Sequence, residues 1–218
     1  MGKMSIFTPE QKLIFDKVSR SEYLRRNFYF TGGTALAEYY LRHRYSDDLD
    51  FFSENEFDIR RIETEARDWV NDLGITYRYQ KKGFVYFFFF GFKKSTLKVD
   101  FGHYPPKRVE KGKSDSGIAI DSLLDIAINK FASIHQRIES KDLVDLYFLL
   151  KKYTIWDLME GARVKFNLET DPWNMGADLI FNVRRVKSLP RMIKPLDLEE
   201  LTKYFQELGK KLGKRAVE

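Results

Sequence analysis

The sequence predicts an α/β (α+β) protein, with a small mixed sheet in its first half and a helical region after it. In residues 1–104, short aromatic and β-branched runs alternate with segments whose apolar residues recur at helical spacing. From residue 118 onward only the helical spacing remains. The loop 105–113 is polar and basic and carries Pro and Gly, so we place the boundary between domains 1–104 and 118–218 in it.

The predicted helices have recognisable ends. Thr8 is the predicted N-cap of the first helix, with Pro9 in the first helical position and Gln11 in the third, as in a capping box. Gly74 follows an amphipathic segment in the usual C-terminal position. Good helix formers and apolar residues at helical spacing predict the others. The predicted helices are 9–26, 34–42, 59–73, 121–136, 140–152, 155–165, 173–182 and 196–212.

The aromatic residues mark most of the strands. The chain has 19 Phe, 12 Tyr and 3 Trp, concentrated in short runs that are typical of buried strands. We therefore expect these side chains to form the core of the sheet and not a surface for base stacking. The predicted strands are 28–30, 48–53, 75–80, 84–92 and 96–102, with a hairpin turn at 81–83.

Composition excludes several classes of protein. The chain has no cysteine, which rules out disulfides, cysteine zinc fingers and a thiol nucleophile. The longest apolar run, 84–92, is too short to cross a bilayer as a helix, so we expect no membrane association and a cytoplasmic location. The formal charge of +6 indicates, weakly, an anionic partner.

Three carboxylates form the first candidate site. Asp48 and Asp50 are two residues apart on a predicted strand, so both side chains point to the same face of the sheet. Asp100 lies on another predicted strand with the same alternation. Adjacent carboxylates repel each other, and their hard oxygen atoms suit Mg²⁺ or Mn²⁺. Solvated acids at a strand end are the alternative interpretation.

A glycine turn precedes these carboxylates. Gly32 and Gly33 separate a predicted strand from a predicted helix that begins with Thr34. Such a turn lets the backbone approach a ligand closely and offers N–H groups and a hydroxyl, a combination that suits a polyphosphate. A Gly-Gly pair taken alone is more often only a turn.

The helical half supplies a third group of charged residues. Lys130 and Arg137 are seven positions apart, on one stripe of a predicted helix. In the next helix, Asp142 and Asp145 lie on a different face from the apolar residues that we expect to be buried. Taken alone, a solvated basic face and an acid favoured by the helix dipole are the simpler explanations. The three histidines, at 43, 103 and 135, show no metal-ligand spacing, and His43 and His103 are expected to be partly exposed.

Taken together, the motifs resemble a known family. Gly-Gly-Thr, then Arg-x-Ser-x-Asp-Leu-Asp-Phe-Phe, a later strand Asp, Lys with Arg seven residues on, and Lys-Asp-x-x-Asp-Leu-Tyr run through about residues 30–150. This order is similar to that of the AbiEii/AbiGii toxin family of nucleotidyltransferases, in the DNA polymerase β superfamily. The resemblance implies a polymerase-β-like core, and a helical domain that completes the nucleotide site and binds the acceptor.

The resemblance also implies residue roles and an activity. Metal would bind to Asp48, Asp50 and Asp100; nucleotide to Gly32, Gly33, Thr34, Ser46, Lys130, Arg137 and Lys141; and the catalytic set would be Asp48, Asp50, Asp100, Lys130, Asp142 and Asp145. The implied reaction moves a nucleoside monophosphate from an NTP to a hydroxyl on RNA, such as the tRNA 3′ end, or on protein. A toxin of this kind would have a cognate antitoxin. The alternatives are a catalytically inactive nucleotide- or partner-binding module, and a nucleotide-sugar glycosyltransferase, which leaves the glycine turn unexplained.

Overall fold

The computed structural model describes residues 5–134 and 139–215. They form two compact units. The first contains residues 5–42 and 46–123, and the second contains residues 43–45 together with the described residues from 124 onward. A seven-stranded mixed sheet lies in the first unit, and the predicted α/β fold class is confirmed.

The first unit contains all the strands that the described residues form. Its elements in chain order are α1 (Pro9–Arg20), α2 (Glu22–Asn27), β1 (Tyr29–Thr31), α3 (Gly32–Leu36, continued by a π-helical turn, Ala37–Leu41), β2 (Leu49–Ser53), α4 (Ile59–Leu73), β3 (Thr76–Lys82), β4 (Val85–Gly91), β5 (Thr96–His103), β6 (Ser114–Asp115) and β7 (Ile118–Ile120). The capping box of Thr8 and Gln11 forms as predicted.

Two local predictions differ from the structure. The helix predicted over 9–26 is broken at Ser21, whose extended backbone ends α1 and whose hydroxyl accepts a hydrogen bond from the N–H of Leu24 to cap α2. Only helices were predicted from residue 118 onward, but residues 118–120 form strand β7. This strand pairs with β1, and its alternate residues Ile118 and Ile120 are fully buried. Three residues are too few for the alternation to be recognised in the sequence.

The strand order is β3-β4-β5-β2-β1-β7-β6. Strand β2 lies between β1, to which it is antiparallel, and β5, to which it is parallel, so its first residues lie beside the end of β1 and the middle of β5. In this register Asp50 is paired with Asp100 on one side and with Thr31 on the other. The topology therefore brings the Asp-x-Asp segment and the later strand Asp to one place in the sheet.

The two faces of the sheet differ. Phe51, Phe88 and Phe101 are fully buried on one face, where Phe15 of α1 packs against Phe51 and Trp69 of α4 packs near Phe90. The alternate residues point the other way. We call this second face, defined by the cross-strand row Asp50, Asp100 and Phe87, the carboxylate face.

The second unit is helical as far as it is described. Its helices are α5 (Leu123–Ser133), α6 (Ser140–Leu149), α7 (Ile155–Phe166), α8 (Pro172–Arg184) and α9 (Leu198–Arg215). Helices α8 and α9 approach closely at Gly176 and Gly209, where a Cβ atom on Gly176 would lie 2.6 Å from the carbonyl oxygen of Gly209. None of the described helices has both the length and the apolar character needed to cross a bilayer.

Candidate active site

The three predicted metal-binding carboxylates come together in the first unit. Asp50 on β2 and Asp100 on β5 are direct neighbours in the parallel register, and Asp48 immediately precedes β2. Asp100 is 5% exposed, whereas Asp48 and Asp50 are only partly buried. The carboxylate face thus presents a buried acid flanked by two more accessible ones.

Lys98 partly neutralises this cluster. Its Nζ atom lies 2.7 Å from Oδ2 of Asp100 and 3.3 Å from Oδ2 of Asp48. Burial lowers the pKa of Lys98, but the hydrogen bond to Asp100 and the carboxylate charges outweigh burial, and the net pKa is raised. Lys98 is therefore a fixed cation between two of the three acids. Sequence analysis missed it, although its position two residues before Asp100 on the same strand was the available signal.

The electrostatic cost of burying Asp100 is only partly compensated by Lys98. Burial, then the negative charges of Asp50 and Asp48, raise the pKa of its carboxyl to about 7, despite the opposing effect of Lys98. Its Oδ1 atom is buried and makes no hydrogen bond. A buried carboxylate oxygen without a partner destabilises the fold, and a cation bound at this oxygen would remove that cost.

The donor set fits a hard divalent cation. Carboxylate oxygens are the ligands that Mg²⁺ and Mn²⁺ prefer, and the free Oδ1 of Asp100 is available. As the side chains stand, no group of three acids or histidines among residues 5–134 and 139–215 converges closely enough to hold an ion. Lys98 is one reason why the acids do not converge on a common point, because its contacts with Asp48 and Asp100 engage one oxygen of each acid.

The glycine turn is in direct contact with the carboxylates. Gly32 has φ +75°, and a Cβ atom there would lie 1.9 Å from Oδ2 of Asp50. Gly33 is buried at the start of α3. The hydroxyl of Thr34 donates to the carbonyl oxygen of Asp48, which ties α3 to the start of β2. Only glycine fits at position 32, both for its backbone conformation and for space.

Ser46 lies on the segment that leads into β2. Its carbonyl oxygen accepts a hydrogen bond of 2.8 Å from the side-chain amide of Gln11, a buried residue of α1. This bond fixes the backbone just before Asp48.

The charged residues of the helical half form a buried network in the second unit. Asp145 is fully buried and accepts two hydrogen bonds from Arg44, at 2.6 and 2.8 Å, while His43 Nε2 lies 2.7 Å from its Oδ1. Lys130 Nζ lies 2.7 Å from Asp142 Oδ1 and 2.8 Å from Asp145 Oδ2. Burial opposes ionisation of Asp145, but Lys130 and Arg44 hold its pKa well below the ordinary value.

The burial of this network differs from what the sequence predicted. Asp142 and Asp145, expected on a face of α6 apart from the buried apolar residues, are themselves buried against Lys130. Lys130, for which a solvated face was the simpler explanation, is itself 8% exposed. His43 is fully buried, not partly exposed. Charges of both signs made these segments look like surface, and only their mutual pairing allows them to be buried.

Two predicted nucleotide contacts, Lys141 and Arg137, remain to be placed. The Lys141 side chain is 41% exposed and pairs with Glu139 at 3.0 Å. Arg137 lies outside the described residues.

Comparison with known proteins identifies the family. The family model described as "Nucleotidyl transferase AbiEii toxin, Type IV TA system" matches residues 16–209. The chain belongs to the AbiEii family. This family is one of nucleotidyltransferases, so the predicted enzyme class and the suspected resemblance are both confirmed.

The chain is also similar to one bacterial relative and to two solved structures. The AbiEii chain is 37% identical over 154 residues to the uncharacterized protein aq_aa25 of Aquifex aeolicus, covering 69% of this chain and 70% of that protein. Two crystal structures from Helicobacter pylori share the fold. One, of a protein proposed to be a nucleotidyltransferase, has a TM-score of 0.59 at 23% identity and covers 97% of this chain and 98% of the other. The other, JHP933, has a TM-score of 0.56 at 22% identity and covers 94% and 91%.

The AbiEii motifs recognised in the sequence form two clusters of residues in the structure. Asp48, Asp50, Asp100 and the glycine turn form one cluster on the carboxylate face. Lys130, Asp142 and Asp145 form another within the second unit, completed by His43 and Arg44, to which sequence analysis gave no such role. The signal for Arg44 was its place in the Arg-x-Ser-x-Asp-Leu-Asp motif, which does not reveal a partner a hundred residues away.

Proposed function

We propose that the protein is a metal-dependent enzyme that transfers a nucleoside monophosphate from an NTP to a hydroxyl on RNA, such as the 3′ end of tRNA, or on protein. The observation that carries this proposal is the pairing of Asp50 with Asp100 directly beside the Gly32 turn. Two repelling carboxylates next to a close backbone turn stabilise nothing by themselves. They suit a site that holds a cation and a polyphosphate.

In this proposal Asp48, Asp50 and Asp100 hold Mg²⁺ or Mn²⁺. When bound, the metal neutralises phosphate charge and helps to orient the reacting groups. Gly32, Gly33 and Thr34 approach the phosphates. The acceptor oxygen bonds to the α-phosphorus, the bond from that phosphorus to the bridging oxygen breaks, and pyrophosphate leaves while Asp100 takes up the hydroxyl proton.

The residues of the second unit keep their predicted roles in the proposal. Lys130, Arg137 and Lys141 are predicted nucleotide contacts, as is Ser46 in the first unit. Asp142 and Asp145 hold the ammonium group of Lys130 and so fix its position. As the toxin of a toxin–antitoxin or phage-defence system, the protein would act in the cytoplasm and have a cognate antitoxin partner.

Incubation with each radiolabelled NTP, Mg²⁺ and either tRNA or whole-cell lysate tests the proposal. We expect label to pass to an acceptor, and we expect EDTA and Asp48→Asn to abolish the transfer. Asp47→Asn, on the exposed neighbouring residue, is the matched control and should remain active. Absence of transfer to every acceptor, together with absence of NTP binding, would contradict the proposal.

A catalytically inactive binding module is the alternative. The burial of Asp100, which Lys98 compensates only in part, argues against it, because a module without catalysis gains nothing from this cost. A thermal-shift series separates the two. An active site should be stabilised by NTP and Mg²⁺ together, and Asp48→Asn should remove the metal-dependent part.

A further inference from the structure

The carboxylate face continues beyond Asp100 onto β4 and β3. Phe87 of β4 is the cross-strand neighbour of Asp100, and Phe89 is the neighbour of Lys98. Arg78 of β3 lies next to Phe89 in the same register. Phe87 and Phe89 are only partly buried, whereas Phe88 and Phe90, which point the other way, are fully buried. The sheet core expected from the aromatic runs thus includes Phe88 and Phe90 of β4, whereas Phe87 and Phe89 lie on the carboxylate face.

These side chains form a stacked surface, which we call the aromatic row: Phe87, Phe89 and Arg78. The Arg78 guanidinium carbon lies 4.3 Å from the ring centroid of Phe89, and Lys98 Nζ lies 4.9 Å from that of Phe87. A groove of about 200 Å³ opens beside Phe89 and Arg78, with Thr76 and Thr96 also in its lining. Phenyl rings and guanidinium planes are the surfaces on which unpaired bases stack.

The charge of this region favours a polyanion. Residues 73–99 contain six Lys and Arg and no Asp or Glu. Arg78, Lys82 and Lys98 alternate with residues of the opposite face, so all three lie on the carboxylate face. Aromatic planes and cations together match a strand of nucleic acid, whose bases stack and whose phosphates are negatively charged.

The order of the strands indicates from which side of the carboxylates each reactant approaches. The Gly32 turn follows β1, on one side of the Asp50 and Asp100 pair, and the aromatic row lies on β4 and β3, on the other side. Phosphoryl transfer places the attacking and leaving oxygens roughly in line. If the leaving pyrophosphate lies at the Gly32 turn, the attacking hydroxyl arrives from the side of the aromatic row.

We infer that the aromatic row binds the unpaired end of an RNA acceptor and delivers its terminal hydroxyl to Asp100. This inference rests on the proposed function and narrows its acceptor to single-stranded RNA. In a duplex only the terminal base pair has an open face, so we expect a duplex to bind the aromatic row more weakly than a single strand, whose unpaired bases can each stack on a ring.

Fluorescence anisotropy with a short labelled single-stranded RNA, and with the matching blunt duplex, tests the inference on the full chain. The double variant Phe87→Leu, Phe89→Leu keeps apolar volume but removes both rings. We expect it to lose about tenfold or more in affinity for the single strand, as removal of base stacking does. Tyr79→Leu is the matched control, because Tyr79 is 41% exposed on the other face of the same hairpin. Melting temperatures of all variants check that they are folded.

NTP binding, measured by thermal shift with Mg²⁺, separates this inference from the proposed function. Loss of RNA affinity with NTP binding retained supports the aromatic row as the acceptor site. Unchanged RNA affinity in the double variant overturns it, and so does an equal loss of NTP binding, which would make the row a site for the NTP base. Transfer of label by the wild type to protein but not to RNA also overturns it, while leaving the proposed function standing.

Discussion

Gly32 and Asp50 approach so closely that a single methyl group on Gly32 would lie 1.9 Å from the Asp50 carboxylate oxygen Oδ2. The turn after β1 and the first carboxylate strand are thus parts of one site. This contact couples the position of the predicted phosphate turn to the position of a predicted metal ligand. A change at Gly32 should therefore disturb both together.

Gly32→Ala should abolish nucleotide transfer, because the added methyl group displaces Asp50; we expect a loss of at least about a hundredfold. It should also destabilise the fold by more than the roughly 1–2 kcal/mol that a left-handed residue costs. Gly74→Ala is the matched control, since Gly74 has φ +61° but nothing within 4 Å of an added Cβ. Urea unfolding and NTP-labelling assays measure the two effects. Equal unfolding free energies for the two variants would show that Asp50 moves without cost.

Lys98→Met should tighten metal binding while lowering the stability of the metal-free protein. Lys98 lies 2.7 Å from Asp100, so its removal frees an oxygen for the metal and leaves the acids to repel each other. We expect about a thirtyfold increase in Mn²⁺ affinity, because a unit charge at about 4 Å is worth roughly 1 kcal/mol for each of the two charges of the ion even in water. Titration followed by Mn²⁺ electron paramagnetic resonance measures the affinity. Lys94→Met, the same charge change on an exposed residue, should leave it nearly unchanged, and weaker binding by Lys98→Met would contradict the prediction.

Lys130→Met should destabilise the protein by about 3–5 kcal/mol, the usual result of removing one partner from a buried ion pair. Asp142 and Asp145, which are 1% and 0% exposed, would both lose their shared cation. Lys141→Met, one residue before Asp142 but with a side chain 41% exposed, should change stability by no more than about 0.5 kcal/mol. Urea unfolding gives both values. A small effect at Lys130 would mean that the acids find other partners.

Titration of His43 should lower the stability of the folded protein on mild acidification, whereas Asp100, whose pKa is raised to about 7, acts in the opposite direction. Burial lowers the pKa of this imidazole below 6.5, although the hydrogen bond to Asp145 acts in the opposite direction and Arg44 and Lys130 add to the lowering. Below about pH 6.5 the imidazole of His43 binds a proton in the unfolded chain but not in the folded state. Its contribution to the unfolding free energy therefore decreases as the pH falls.

His43→Gln should remove the contribution of His43 to the slope of unfolding free energy against pH between about pH 7 and 5, which is at most about 1.4 kcal/mol per pH unit. Unfolding in urea at several pH values measures the slope. His103→Gln, at a partly exposed residue of β5, is the control. Asp145 does not interfere in this window, because its pKa is held well below 3.8. A slope identical to that of the wild type would exclude His43 as the source.

The sequence predicted those elements whose signals are local. The capping box at Thr8 and Gln11 formed as expected, and so did the helix that ends at Gly74. The break at Ser21 was missed because a serine can either continue a helix or cap the next one. Which choice it makes depends on the packing of α1 and α2, and not on the neighbouring residues alone.

The sequence by itself determined the family, the α/β fold class and the grouping of Asp48 with Asp50, because each depends on residue order or on the two-residue period of a strand. Only the tertiary structure decided which residues meet. Parallel pairing of β2 and β5 set Asp50 beside Asp100 and placed Lys98 between the acids. Pairing of β4 with β5 placed Phe88 and Phe90 on the buried face of the sheet and Phe87 and Phe89 on the carboxylate face. Strand pairing and burial join residues far apart in the chain, and no local pattern records such partners.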